Sequence, residues 1–131
     1  MWSDLRRDAV GSDLNVLIVE DEMVARNALA SLLAGIGYAT RAVGSAELAL
    51  ERIKEGDRPE IALVDLDLPG MNGADFIARL TVEQPQTFAI LITAASNDRV
   101  AALRDAGIPH LRKPLDFKEL VNVLHAHSRI Q

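Results

Sequence analysis

Five side chains of this sequence are of types that phosphoryl chemistry uses: the acids Glu20, Asp21 and Asp65, the hydroxyl of Thr93 and the ammonium of Lys113. Each closes a short run that reads as a strand, apolar in all but the last. Glu20 and Asp21 follow Asn15-Val16-Leu17-Ile18-Val19, Asp65 follows Ile61-Ala62-Leu63-Val64, Thr93 follows Phe88-Ala89-Ile90-Leu91-Ile92, and Lys113 follows Ile108 to Arg112. Runs of this length and composition read as buried strands. The carboxyl edge of an open parallel sheet is where loops diverge and ligands bind, so these groups converge if the strands that carry them are neighbours. Two carboxylates about 5 Å apart repel by roughly 3 kcal/mol at an effective dielectric near 20, so a pocket with three of them requires a cation. Oxygen donors without His or Cys favour Mg²⁺, Mn²⁺ or Ca²⁺ over zinc, and Mg²⁺ is commonly held by one or two carboxylates, waters and a phosphate oxygen. A carboxylate can also attack phosphorus to give an aspartyl phosphate, with Lys113 and Thr93 stabilising the in-line transition state by charge and position. Asp65, which ends a wholly apolar run and precedes a loop rich in Pro, Gly and Asn, is the candidate reactive group.

The elements that must position these groups alternate along the chain. After the first run, Val24, Ala28, Leu29, Leu32 and Leu33 fall at helical spacing over Met23 to Ala34, and Gly35 and Gly37 supply the stop. Tyr38 to Val43 reads as a strand nearer the sheet edge; it ends at Gly44 and brings no chemical group. Ser45 caps a helix expected to turn Leu48, Ala49 and Ile53 inward. Beyond Asp65, Phe76, Ile77 and Leu80 mark a third helix, Val100 and Leu103 a short fourth one, and Phe117, Leu120, Val121 and Leu124 a fifth, opened by Asp116 with Glu119 three residues on. The fifth strand, Ile108 to Arg112, is the weakest, because Pro109 removes a ladder donor. Five strand-helix units in alternation predict an α/β fold, a single doubly wound domain with a parallel sheet and helices on both faces.

Composition limits the alternatives. A chain of 131 residues suits one domain, and without Cys there is neither a disulfide framework nor a thiolate metal site, as suits a reducing cytoplasm. The net charge of −5 and the scattered Lys and Arg argue against a direct nucleic-acid surface. No apolar run reaches the length of a membrane span. Residues 1–14, with Trp2 as a packing residue, read as an extension ahead of the domain at 15–131. Taken singly, each candidate has an ordinary explanation: acids enrich helix N-termini, Asp65 and Asp67 could be turn residues, and Thr93 and Lys113 a strand end and a surface lysine. His125 and His127, two apart on a helix, read as surface residues. Only the combination selects chemistry.

In order and spacing, Val19-Glu20-Asp21-Glu22, Asp65-Leu66-Asp67-Leu68-Pro69-Gly70-Met71-Asn72-Gly73, Ile92-Thr93-Ala94 and Lys113-Pro114 resemble the receiver domain of two-component response regulators, over roughly Asn15 to His127. The resemblance implies a five-stranded sheet in the order 2-1-3-4-5 with five helices, and a regulatory domain rather than an enzyme, one that promotes its own phosphorylation and dephosphorylation in the cytoplasm. It implies that Asp65 accepts a phosphoryl group from a histidine of a sensor kinase or phosphotransfer domain. Asp21 would bind Mg²⁺ (or Mn²⁺) directly and Glu20 mainly through water, with the backbone carbonyl of Asp67 completing the protein ligands. Thr93 would turn to the phosphoryl group and Lys113 would pair with it. The fourth helix, fifth strand and fifth helix would form the face for output or self-association, with Arg99, Arg104 and Arg112 as contacts.

Three features depart from the family pattern. His110 stands where receivers carry the Tyr or Phe of the switch coupled to the threonine, and its imidazole can swing or respond to pH. The stretch from Thr93 to Lys113 is about two residues shorter than the family norm, which implies an abbreviated fourth helix. Small Ala95 is expected to leave the phosphoryl group open to water. Two other functions compete: a haloacid-dehalogenase-type phosphohydrolase using Asp65 and Asp67, and a docking module that is never phosphorylated. The acids ahead of Asp65 disfavour the first, and the complete set Glu20, Asp21, Asp65, Thr93 and Lys113 disfavours the second.

Overall fold

The structure, a computed structural model, describes residues 14–130, with side chains described through His127. The expected extension, Trp2 included, lies outside the described residues up to Asp13. Within them five strands and five helices alternate: β1 (Asn15–Val19), α1 (Met23–Gly35), β2 (Ala39–Val43), α2 (Ala46–Lys54), β3 (Ile61–Asp65), α3 (Gly73–Glu83), β4 (Phe88–Thr93), α4 (Asn97–Asp105), β5 (His110–Arg112) and α5 (Phe117–Ile130). All four strand pairs are parallel, in the order β2-β1-β3-β4-β5. This is the doubly wound α/β fold that the alternation and the resemblance implied.

Successive residues of a strand face opposite sides, and the sheet therefore divides its apolar side chains between two cores. Leu17, Val19, Ala62, Val64 and Leu91 join Ala46, Ala49 and Ile53 of α2 and Phe76 and Leu80 of α3. Val16, Ile18, Ile61, Leu63, Ile90 and Ile92 join Leu33 of α1 and Leu120 and Leu124 of α5. Leu14 is buried in this second core and its carbonyl accepts from Ala39 N–H. β3 is buried along its whole length, as a central strand covered on both faces must be.

Register sets the heights of the functional residues. Val19 lies beside Val64, so Glu20 comes level with Asp65, which itself lies beside Ile92; Thr93 lies beside Arg112, immediately before Lys113. The four strand ends therefore form one rim.

Some local expectations needed correction. Of the apolar stripe assigned to α1 only Leu33 is buried, while Val24 and Leu32 stay exposed, because the sheet and α5 need one narrow edge of this helix and the stripe is wider than that edge. Leu48 of α2 is exposed and Ala46 takes its inward place. β5 starts at His110 rather than Ile108, since Pro109 offers a carbonyl to Leu91 N–H but has no N–H to return. His127 is half-buried, its ring stacked on Phe88 at 4.4 Å and 11°.

Candidate functional site

Asp65 ends β3 as a buried carboxylate, 5% exposed, at the centre of the rim. Its Oδ1 accepts from Asp67 N–H at 3.1 Å, so the loop that follows the strand turns back to fix the group it carries. Carboxylate oxygens of Glu20, Asp21 and Asp65 all lie within 4.8 Å of one another. At that separation each pair of charges repels by about 3–4 kcal/mol for an effective dielectric near 20. Lys113 partly offsets this, with Nζ 3.4 Å from Asp65 Oδ2 and 3.5 Å from Glu20 Oε1.

The titration directions follow from that crowding. Burial pushes the Glu20 carboxyl up, opposed by the Glu22 N–H that it accepts, and the Asp65 charge raises it further. Burial pulls the Lys113 ammonium down, but the Asp65 and Glu20 carboxylates outweigh it and hold the group above the ordinary lysine range. Each group depends on the other's charge.

The three consecutive acids after β1 divide into two jobs. Glu22 is the N-cap of α1, accepting from Val24 and Ala25 N–H groups, as the acid-rich helix start allowed. Glu20 and Asp21 are left for the rim, Glu20 nearly buried and Asp21 exposed.

On the other side Thr93 is fully buried at the end of β4, its Oγ1 accepting from Ala95 N–H at 2.8 Å. Its hydroxyl proton remains to be donated. The Ala95 side chain packs in the α2–α3 core and is 8% exposed. The Asp67 carboxylate is exposed and faces Arg99 Nη1 at 3.5 Å, while its backbone N–H serves Asp65. His110 is half-buried next to Leu91 in the ladder, with Nδ1 donating to the Ile108 carbonyl at 2.9 Å. Arg112 donates to Asn97 Oδ1 at 2.9 Å, joining β5 to α4; Arg104 is exposed on α4.

Three supporting residues were not found in the sequence. A Cβ on Gly73 would lie 2.3 Å from the Asp65 carbonyl oxygen, so α3 begins against the end of β3 only because residue 73 has no side chain. Glu47, in the first turn of α2, accepts from Met71 N–H at 3.0 Å and ties down the loop after Asp65; that bond holds its carboxyl below the usual range. Arg26 of α1 donates to the carbonyl oxygens of Glu20 and Asp21. The Pro-Gly-Met-Asn-Gly loop hinted at the first, but Glu47 and Arg26 carried no local signal, since their partners are loop backbone groups.

The family model for the response regulator receiver domain matches residues 16–125. The two-component response regulator PhoP of Pseudomonas aeruginosa is 40% identical over 119 residues, covering 88% of this chain and 52% of that protein. The DNA-binding response regulator MtrA of Mycobacterium tuberculosis is 33% identical over 116 residues, covering 87% and 50%. The chain thus spans about half the length of these curated relatives. Among solved structures, a signal receiver domain of an HD domain-containing protein from Pseudomonas fluorescens superposes with a TM-score of 0.78 at 26% identity, covering 89% of this chain and 95% of that one. A CheY-like receiver domain protein from Methanospirillum hungatei gives 0.76 at 22% identity, covering 91% and 99%. Neither the dehalogenase-type phosphohydrolase nor the docking module has support among these matches. The chain belongs to the receiver domains of two-component response regulators.

Proposed function

We propose that Asp65 is the phosphoacceptor of this receiver domain and takes its phosphoryl group from a phosphohistidine of a sensor kinase or phosphotransfer partner. One observation carries the reading: a buried carboxylate ends the central strand with two further carboxylates within 4.8 Å and an ammonium at 3.4 Å. In the transfer, an Asp65 oxygen attacks phosphorus, the P–N bond of the donor breaks, and its electron pair stays with the imidazole nitrogen. The Asp67 N–H keeps the attacking carboxylate in one orientation. Lys113, already beside Asp65, answers the added negative charge, and the Thr93 hydroxyl donates to a phosphoryl oxygen. Hydrolysis of the acyl phosphate returns Asp65 to its starting state.

The donor set fits a hard divalent cation, since it is all oxygen and holds three carboxylates against one ammonium. Glu20, Asp21 and Asp65, with the Asp67 backbone carbonyl, would hold Mg²⁺ or Mn²⁺. Such an ion, when bound, neutralises charge on the phosphoryl oxygens.

Two surfaces fit the two partners of a relay. Beside the rim, Ala25, Leu29 and exposed Leu32 of α1 line a groove of about 310 Å³ that runs from Leu32 and Phe117 to Glu20 and Lys113. The phosphodonor docks there, within reach of Asp65. Across the rim, α4, β5 and α5 present Arg99, Arg104 and Arg112 for output or self-association, and His110 with Thr93 links that face to Asp65. PhoP and MtrA are regulators about twice this length, and MtrA is DNA-binding; for this acidic chain the proposed contacts are protein ones.

Incubation with acetyl phosphate and Mg²⁺ followed by intact-mass measurement tests the reading. Wild type gains one phosphoryl mass and Asp65→Asn gains none. Equal labelling of both, or an unlabelled wild type, overturns it.

A further inference from the structure

We propose that Arg26 is a positioning residue for the acid pair Glu20-Asp21 and that Gly44 exists to seat it. The inference rests on the reading of those acids as cation ligands. Arg26 Nη1 lies 2.9 Å from the Glu20 carbonyl oxygen and 3.4 Å from that of Asp21. One guanidinium thus holds the two peptide units that aim the two carboxylates. A Cβ on Gly44 would come within 3.1 Å of the same Nη1, so the end of β2 is the wall against which the guanidinium rests. Gly44 is not among the glycines with positive φ, and its need for glycine is therefore a need for space.

The clamp has a clear physical task. Adjacent acids on a short turn relieve their repulsion by splaying apart, and a turn has little regular hydrogen bonding to resist that. Here the turn is held at three points: Glu20 N–H on the Val43 carbonyl, Glu22 N–H on Glu20 Oε2, and Arg26 on both carbonyls. The first fixes the start of the turn, and the second ties the N–H of the Asp21–Glu22 peptide to the Glu20 carboxylate. Among the described residues Arg26 alone holds the carbonyl of that peptide, and it does so from a rigid base, since Arg26 N–H closes the first turn of α1 on the Glu22 carbonyl at 2.9 Å. Both bonds come from Nη1, whose two N–H groups are fixed in the guanidinium plane, whereas a lysine ammonium turns freely on its stem. Arg26 touches no reacting atom; it acts through the geometry of the ligands.

Mg²⁺ titration without a phosphodonor, followed through the amide shifts of Glu20, Asp21 and Asp65, separates this role from catalysis. Arg26→Met raises the half-saturating Mg²⁺ concentration by about tenfold, the effect typical of groups that orient metal ligands. Arg26→Lys gives a smaller rise. Gly44→Ala, which leaves Arg26 in place and crowds its guanidinium, moves the curve in the same direction. Acetyl phosphate labelling of Asp65 at saturating Mg²⁺ stays close to wild type in all three. Curves that superimpose on wild type overturn the proposal, as does loss of labelling at saturating Mg²⁺ with unchanged affinity. If Arg26→Met does not fold, Gly44→Ala decides by the same criterion. A wild type that neither responds to Mg²⁺ nor becomes labelled overturns the Asp65 reading itself; a responsive wild type with unmoved variants overturns only the role of Arg26.

Discussion

The two sides of the rim are built differently. On the side of β1, β2 and β3, the loops that carry Glu20, Asp21 and Asp65 are held by side-chain bonds to backbone from Arg26, Glu47 and Glu20, and α3 is seated directly against the end of β3 at Gly73. On the side of β4 and β5, α4 has nine residues and buries only Val100, and its polar ties are Arg99 to Asp67 and Asn97 to Arg112, all exposed. The proposed nucleophile and cation ligands sit on the clamped side, where their placement matters most. The proposed signalling side is attached by contacts worth little each, so it is the side that should move first when Asp65 or Thr93 changes.

Gly73→Ala attacks the clamped side where it has least room. A methyl group 2.3 Å from the Asp65 carbonyl and 2.9 Å from the Leu66 Cα meets backbone that cannot move without dragging Asp65 along. A loss of about 2–4 kcal/mol by urea denaturation is expected, together with loss of Asp65 labelling. Full stability would show that the α3 junction adapts. Val100→Ala is the matching attack on the loose side: about 1–2 kcal/mol, with faster hydrogen exchange confined to α4 amides and labelling retained. Spread of that exchange into β3 would show that the two sides unfold as one.

The same contrast governs what the residues alone disclosed. β3 and the carboxyl-edge acids were legible because an uninterrupted apolar run ending in Asp is a local pattern, and the helix caps Ser45 and Asp116 announce themselves in one turn. Strand order was not local; it came from the resemblance and reappears in the pairing of β1 with β3. α1 was misread in its facing, since periodicity shows that a stripe exists but not how much of it a neighbour covers. Gly44 looked empty of function because the side chain that uses its space is eighteen residues earlier, on another element. Arg26 and Glu47 bond to loop backbone, and no pattern of side-chain types marks a loop carbonyl or N–H that needs a partner.

Arg99→Ala removes a pair whose partners are both more than half exposed, at 3.5 Å. Its stability cost is within about 0.5 kcal/mol. The informative readout is the α4 amide shifts, which move in the unphosphorylated protein toward those of wild type treated with beryllofluoride and Mg²⁺. A larger stability loss would mean that α4 is held more firmly than its burial indicates.

The smallest effects are those of pH, and they separate by window. Glu47 is depressed in the folded state by the Met71 N–H, so its contribution is complete above the ordinary glutamate range and is lost as pH falls through its folded value. His127, pulled below about 6.5 by burial, has the opposite charge type but the same slope. The unfolded chain binds the proton more tightly there, so stability declines as pH drops from 7 through the folded pKa and then levels off. Glu20, raised in the folded state, works the opposite way in every variant alike, so the readout is the difference from wild type. In a scan from pH 7.5 to 3, wild-type urea midpoints should fall relative to His127→Phe, which keeps an aromatic ring on Phe88, as pH drops below 7, and relative to Glu47→Gln only below the ordinary glutamate range. Because Glu47 ties the loop after Asp65 and His127 lies at the far end of α5, only the Glu47 window should be accompanied by shifts at the Met71 amide. Met71 shifts in the His127 window would mean that α5 and the clamped loop move together.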